Sequence, residues 1–212
     1  MHILTDTIDF PPVHLANKDG LLAVGGDLSS ERLLCAYTNG IFPWFTDDQP
    51  ILWFSPDPRM VLFPNELRIS KSMRQLMRKN TFKTTFNTRF KEVISACASI
   101  PRKDQDGTWI TSNMINAYHD LHRLGYAISV EVWQEDVLVG GLYGVLLRNQ
   151  EVFCGESMFS KVSNASKFAF VSLVQQLASE GIKLIDCQMY TDHLASLGAR
   201  EIERTIFMNY LK

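Results

Sequence analysis

Two short runs of this chain place acids and an amide where they could position a nucleophile and handle a proton. One reads Phe153-Cys154-Gly155-Glu156-Ser157-Met158-Phe159 and the other Leu184-Ile185-Asp186-Cys187-Gln188-Met189. Both have the composition of strands. Side chains alternate across a strand, so Asp186 and Gln188 are expected on one face, with Ile185, Cys187 and Met189 on the other. A carboxylate and an amide on an otherwise apolar strand are costly to bury unless paired. Glu156 is the natural third member, and Gly155 beside it permits close approach of a ligand or another backbone. Glu156, Asp186 and Gln188 are therefore the candidate catalytic set. A buried structural network, with Glu156 merely bonding a loop, is the competing reading.

Other groups carry weaker signals. The loop Ser163-Asn164-Ala165-Ser166-Lys167 opens a long helix, whose start presents free N–H groups to an anion; plain N-capping by Asn164 or Ser166 explains it equally well. Aromatic residues cluster at Phe42-Pro43-Trp44-Phe45 and Trp53-Phe54, with Trp109 later. They could stack on a base or fill a core. Eight basic residues between Arg68 and Lys91 have no acid among them. Within that window Arg68, Lys71, Arg74, Arg78, Lys79 and Lys83 are the candidate phosphate contacts. His119 and His122 lack a completing acid, so no metal is expected there. Asp192-His193 has no nucleophile elbow to serve. The four cysteines are scattered without Cys-x-x-Cys spacing, which speaks against zinc or a disulfide framework.

The elements that must hold these residues can be read in outline. The chain has 212 residues, 46% hydrophobic and 21% charged, with a net charge of −2. That is enough to bury a core, and it argues against binding nucleic acid over the whole surface. The first residues lack a basic and an apolar region, so no signal peptide is expected and the cytoplasm is the expected location. Six of the eight prolines fall before residue 60. This points to a small α/β domain over 1–60, with one helix at Ser30 to Asn39, and a second domain over 61–212. Further helices are expected from Ser70 to Lys79, Phe90 to Ser99, Ser112 to Leu124 and Ser166 to Glu180. Tyr126 to Trp133, Val137 to Leu147 and Glu151 to Phe159 read as an antiparallel meander. Lys183 to Met189 should return parallel to its neighbour. A helical turn at Leu194 to Leu197 and a final strand from Ile202 to Tyr210 complete an α+β order. That order is the one found in the acetyl-CoA N-acyltransferase (GNAT-like) fold, an analogy of fold alone. The Gly-rich loop of coenzyme A users is absent, which counts against acetyl-CoA.

The residues also carry a resemblance. It runs through Gly20 to Ser29, Gly40-Ile41-Phe42-Pro43-Trp44-Phe45, Ser55-Pro56-Asp57-Pro58-Arg59 and Gly107-Thr108-Trp109-Ile110-Thr111. It continues through Ser129 to Trp133, Val139-Gly140-Gly141-Leu142-Tyr143-Gly144, Phe153 to Ser160, Asn164-Ala165-Ser166-Lys167 and Leu184 to Gln188. In these stretches the chain resembles the bacterial leucyl/phenylalanyl-tRNA–protein transferase family. The resemblance implies an enzyme that moves Leu or Phe, and less readily Met, from aminoacyl-tRNA to proteins with N-terminal Arg or Lys, marking them for degradation. It implies no metal, no ATP and no other cofactor, and no membrane partner. It implies an apolar pocket of Leu142, Phe153, Leu173, Leu177 and Ile185, with Ser160 and Asn164 counted in the substrate site. Trp44 and Trp109 match positions that hold the terminal adenosine.

The chemistry is compatible with these residues. An aminoacyl ester is already activated, so the protein must mainly align it with an amine, and alignment can supply roughly 7–11 kcal/mol. An α-amino group with a reference pKa near ~8 needs only a modest proton acceptor. Gln188, oriented by Asp186, would stand beside the attacking amine, and Glu156 would hold an amino group of donor or acceptor. The proton could pass to the 3′-oxygen or to a water. The acceptor's basic side chain needs a carboxylate, for which Glu131 is a candidate. A coenzyme A-dependent N-acetyltransferase and a non-catalytic tRNA-binding module remain the competing functions.

Overall fold

Alternating apolar residues joined by tight polar turns build the sheet that carries the site. The computed structural model describes residues 2–100 and 108–212. Gly107, in one of the matched stretches, lies outside the described residues.

The first part of the chain contributes strands β1 (His2–Leu4) and β2 (Leu21–Gly25), helix α1 (Ser30–Thr38), and strands β3 (Phe42–Pro43) and β4 (Leu52–Phe54). These strands form a four-stranded sheet in the order β1-β2-β4-β3. Ser29 caps α1 by accepting from the Arg32 amide, and Gly40 turns the chain after it at φ +70°, a conformation cheap for glycine. Strand β5 (Arg59–Leu62) then enters the large sheet, so the expected boundary after residue 60 falls inside a strand.

Helix α2 (Lys71–Arg78), strand β6 (Lys83–Phe86), helix α3 (Phe90–Ser99) and helix α4 (Ser112–Arg123) follow. The meander is β7 (Ala127–Gln134), β8 (Val137–Leu147) and β9 (Val152–Ser160). Helix α5 (Ala165–Ser179) crosses over, and β10 (Leu184–Gln188) returns parallel to β9. Helix α6 (Asp192–Ser196), strand β11 (Arg200–Ile202) and helix α7 (Arg204–Met208) end the chain. The large sheet has seven strands in the order β11-β5-β10-β9-β8-β7-β6. Meander, crossover helix and parallel return make the acyltransferase-like α+β arrangement expected from the element order.

Both faces of this sheet are covered. Phe168, Phe170, Leu173, Val174 and Leu177 of α5 bury against one face. Val93 and Ile94 of α3, with Met114, Tyr118 and Leu121 of α4, bury against the other. That second core is continuous with Leu33, Ala36 and Tyr37 of α1 and Trp53 of β4. Residues from the first sixty thus share a core with Tyr118 and Tyr143.

Three local expectations need correction. Ile202 to Tyr210 is not one strand. Pairing with β5 stops at Ile202; Asp57 then accepts from the Arg204 amide, and α7 turns Phe207 into full burial. The mixed apolar and polar segment suited both states, and tertiary contacts decided. Asn164 is not a side-chain cap. It sits at φ +70° with no cap bond, while Ser160 Oγ accepts from the Ser166 amide at 3.3 Å. Asp186 and Gln188 do not keep the register of a shared face, because β10 is bulged between them.

Candidate active site

The bulges set the geometry. On β9, Ser157 faces Tyr143 and Gly155 faces Gly144, so Glu156 is an extra residue without a partner across the ladder. On β10, Asp186 faces Val61 and Gln188 faces Met60, which makes Cys187 the extra residue, and Gln188 adopts φ +64°. A bulge bends its strand and re-aims a side chain. These two turn Glu156 and Gln188 toward each other, and Gln188 Nε2 donates to Glu156 Oε1 at 3.0 Å.

Asp186 points elsewhere. It is wholly buried and takes a two-pronged bond from Arg59, Nε to Oδ1 at 2.8 Å and Nη2 to Oδ2 at 2.7 Å. Oδ1 also accepts the Gln188 backbone amide at 2.9 Å. Asp186 therefore orients Gln188 through the main chain that carries it. Arg59 is itself buried between the rings of Phe42 and Phe207, with its guanidinium carbon 5.0 and 4.7 Å from their centroids. Its Nη1 donates to the Gly40 carbonyl at 3.2 Å. A buried pair of this kind holds only while both charges are present.

Glu156 is enclosed by two tyrosines. Tyr37 Oη donates to Oε1 at 2.7 Å, Tyr118 Oη lies in hydrogen-bond contact with Oε2 at 2.9 Å, and the two hydroxyls bond each other. Burial pushes the Glu156 carboxyl up to about 8, although the bonds from Tyr37 and Tyr118 pull the other way and nearby Asp186 adds to the rise. Both phenols are raised well above their ordinary value, first by burial and then by Glu156. The sequence reading missed Tyr37, Tyr118 and Arg59 as parts of the site. A buried tyrosine needs a partner for its hydroxyl, and that was the available signal at Tyr37.

Two cavities meet at Glu156 and Gln188. The first is an apolar slot of about 330 Å³, near the lower end of the ~300–1,000 Å³ typical of small-molecule sites. Leu142, Phe153, Leu173 and Ile185 line it as expected, joined by Met158 and Phe170. Asp186, Thr191 and His193 add polar groups to its lining. Gly155 also lines it; a methyl group added there would come no closer than 3.6 Å to the protein, so the missing side chain leaves room for a guest. The second cavity, about 250 Å³, is lined by Phe42, Pro43, Trp44, Trp109 and Met189. Trp109, Cys187, Thr191 and Leu194 border both.

Several expected residues lie elsewhere. Leu177 is core and lines a different cavity with Phe86 and Ile128. Ser160 and Asn164 line neither of the two joined cavities; Ser160 donates to the Val162 carbonyl at 2.7 Å and helps start α5. Arg68, Lys71, Arg74, Arg78, Lys79 and Lys83 are exposed along α2 and its flanks. Glu131 is not open to a substrate. It is fully buried and accepts from the hydroxyls of Thr85, Thr88 and Ser129 at 2.6, 2.8 and 2.6 Å. It also takes the Arg89 amide at 3.3 Å, and so serves the start of α3. His122 stacks on Phe90 and bonds the Ala127 carbonyl. Among the described residues no cluster of His, Cys, Asp or Glu could hold a metal ion, and no helix is long and apolar enough to cross a membrane.

This geometry fits acyl transfer to an amine: a slot for a side chain, an aromatic-lined neighbour, and a carboxyl–amide pair at the junction. Comparison with known proteins bears on which acyl transfer. A family model described as leucyl/phenylalanyl-tRNA protein transferase matches residues 61–212, and its N-terminal domain model matches 26–57. Proteins named leucyl/phenylalanyl-tRNA–protein transferase from Flavobacterium johnsoniae and Christiangramia forsetii are similar to this chain over its whole length. The first is 60% identical over 212 residues, 100% of this chain and 99% of that protein. The second is 57% identical over 211 residues, 100% of each. Among solved structures, L-PGS from Bacillus licheniformis aligns at a TM-score of 0.45 and 11% identity, covering 82% of this chain and 57% of that one. A GCN5-related N-acetyltransferase from Kribbella flavida aligns at 0.42 and 10%, covering 79% and 59%. On the matched models and the full-length identity, the chain belongs to the leucyl/phenylalanyl-tRNA–protein transferase family, and it is a transferase.

Proposed function

We propose that this enzyme moves Leu or Phe, and less readily Met, from aminoacyl-tRNA to the α-amino group of cytoplasmic proteins that begin with Arg or Lys. The product carries an N-terminal mark for degradation. The observation that carries this reading is the junction of the two cavities at Glu156 and Gln188. The donor's side chain lies in the slot beside Phe153 and Leu173, and the terminal adenosine lies by Trp44 and Trp109. The ester carbonyl then falls beside the carboxyl–amide pair.

In this pose Gln188 directs one amide hydrogen to Glu156 and offers its carbonyl oxygen to an N–H of the attacking amine. Asp186 and Arg59 hold the main chain of Gln188 still. Residues 1–60 act as the small N-terminal domain and 61–212 as the catalytic one, with α1 lending Tyr37 to the site. Purified protein mixed with Phe-tRNA and an Arg-starting peptide should give labelled Phe-peptide. No product, with the tRNA still charged, would sink the proposal.

Two further outcomes are expected. Gly155→Ala should leave the melting temperature nearly unchanged while raising KM for Phe-tRNA more than for Leu-tRNA, because the added methyl enters the slot and touches little else. Equal effects on both donors would remove Gly155 from the donor's path. For the tRNA body, the exposed basic face of α2 is the proposed contact. Arg74→Glu with Arg78→Glu should weaken binding and reduce the slope of log K against log salt by roughly 2, at about one per phosphate contact. An unchanged slope would take this face off the tRNA path.

A further inference from the structure

Three contacts join Glu156, Tyr37 and Tyr118 in a closed ring: Tyr37 to Oε1, Tyr118 to Oε2, and hydroxyl to hydroxyl. Each contact needs one hydrogen. Two phenols supply only two. With Glu156 ionised, either one tyrosine leaves the carboxylate or the two hydroxyls face each other with no hydrogen between them. Both phenols are buried, at 1% and 0% exposure, so water cannot make up the shortage. The third hydrogen must sit on the carboxyl. Its place follows from Gln188, which already donates to Oε1. Oε1 therefore accepts two bonds and Oε2 carries the hydrogen. The ring runs from Oε2–H to Tyr118, from Tyr118 to Tyr37, and from Tyr37 back to Oε1, and every member is satisfied.

We propose that Glu156 stands as a neutral acid, held so by Tyr37 and Tyr118, and that it carries the proton of the transfer reaction. The second half rests on the function proposed above; the first half does not. Attack of the amine nitrogen on the ester carbonyl carbon gives a tetrahedral adduct with a positive nitrogen and a negative oxygen. As the bond from carbon to the 3′-oxygen breaks, Glu156 gives its proton to that oxygen and takes the proton that the nitrogen loses. Glu156 ends as it began, and no further reactant is needed. A neutral carboxyl has another advantage over a carboxylate here. A negative charge beside the amine would hold it as ammonium, which has no lone pair to attack with. Tyr37 and Tyr118 are positioning residues in this scheme.

The surroundings agree. From β10, Asp186 opposes a second negative charge nearby, although Arg59 offsets part of it. From β9, Cys154 is buried and its thiol is pushed well up by burial, so it adds no charge. From β8, Tyr143 meets Tyr118 edge-on at 5.6 Å between centroids. From α6, His193 lines the same slot, and burial lowers its tendency to ionise.

Infrared difference spectra of the unliganded protein at neutral pH, wild type minus Glu156→Gln, test the first half. A protonated-carboxyl carbonyl band that moves in D2O is expected, and Tyr37→Phe and Tyr118→Phe should each shift it while the proteins stay folded. Carboxylate bands alone would overturn the neutral acid. The second half is read from the ratio of wild-type to Glu156→Gln single-turnover rates across pH, in which ionisation of the amine cancels. The ratio should be at least ~10²-fold at neutral pH and fall on the alkaline side, and Tyr37→Phe should displace that fall. A flat ratio would overturn the proton-carrying step. Absence of any transfer by the wild-type protein would overturn the proposed function and the step with it, leaving the resting acid to stand or fall on the infrared result.

Discussion

Asp186→Ala is expected to cost about 3–5 kcal/mol of stability and to remove transfer activity, because it leaves the Arg59 guanidinium buried and uncompensated. Arg59 is 1% exposed and sits between two aromatic rings. Its compensating charge is Asp186, which is 0% exposed. Once the carboxylate is gone, the cation must either stay unpaired or pull Phe207 and α7 away to reach water. Chemical unfolding monitored by tryptophan fluorescence will read the loss. Arg59→Met combined with Asp186→Leu separates the two roles. Removing both charges together should restore most of the stability, since apolar replacements of a buried pair are often neutral or better. Activity should stay absent, because the Gln188 backbone amide still lacks the acceptor that holds its bulge. A double variant that regains activity would show that Asp186 serves folding alone.

Glu156→Gln is expected to slow transfer by roughly 10²–10⁴-fold, the usual worth of a positioned proton carrier, while binding of aminoacyl-tRNA changes little. The same substitution should change how stability depends on pH. Folding raises the Glu156 carboxyl from an ordinary 4.5 to about 8. Below the lower value both folded and unfolded chains hold the proton. Between the two values the folded protein keeps it and the unfolded chain has released it. Stability therefore falls as pH rises through that window, by at most ~1.4 kcal/mol per pH unit for one proton, and levels off above it. Glu156→Gln has nothing to release, so its unfolding free energy should lack this slope. Parallel curves for the two proteins would mean that Glu156 is ionised in the folded state.

Much of the architecture was legible in the chain. The meander, the long helix and the parallel return follow from strand-like runs, turn residues and a 3.6-residue apolar stripe. Caps such as Ser29 and stops such as Gly40 and Gly181 mark helix ends because those residue types satisfy free backbone groups or adopt positive φ at low cost. Four of the five expected pocket residues line the slot, because inward positions of adjacent strands and of the helix above them converge. Leu177 does not, since one turn along α5 carries it past the slot into plain core. The terminal segment misled because Ile202 to Tyr210 mixes apolar and polar residues in a pattern open to either state, and tertiary contacts, the Asp57 bond to the Arg204 amide and the burial of Phe207, decide.

The amino-acid sequence by itself determined which residues could do chemistry here, and which strands would carry them. It also determined, through the apolar periodicity of each element, that those strands would lie side by side under one helix. Only the tertiary structure decided where the side chains point. Alternation places Asp186 with Gln188, yet one extra residue on each site strand breaks the two-residue period. Such a bulge depends on how neighbouring strands register, not on any local preference. The two tyrosines and the arginine come from α1, α4 and β5, separated from Glu156 and Asp186 by 38 to 127 positions. Hydrogen-bond need is written in their residue types, but which partner meets it is a matter of packing across the sheet.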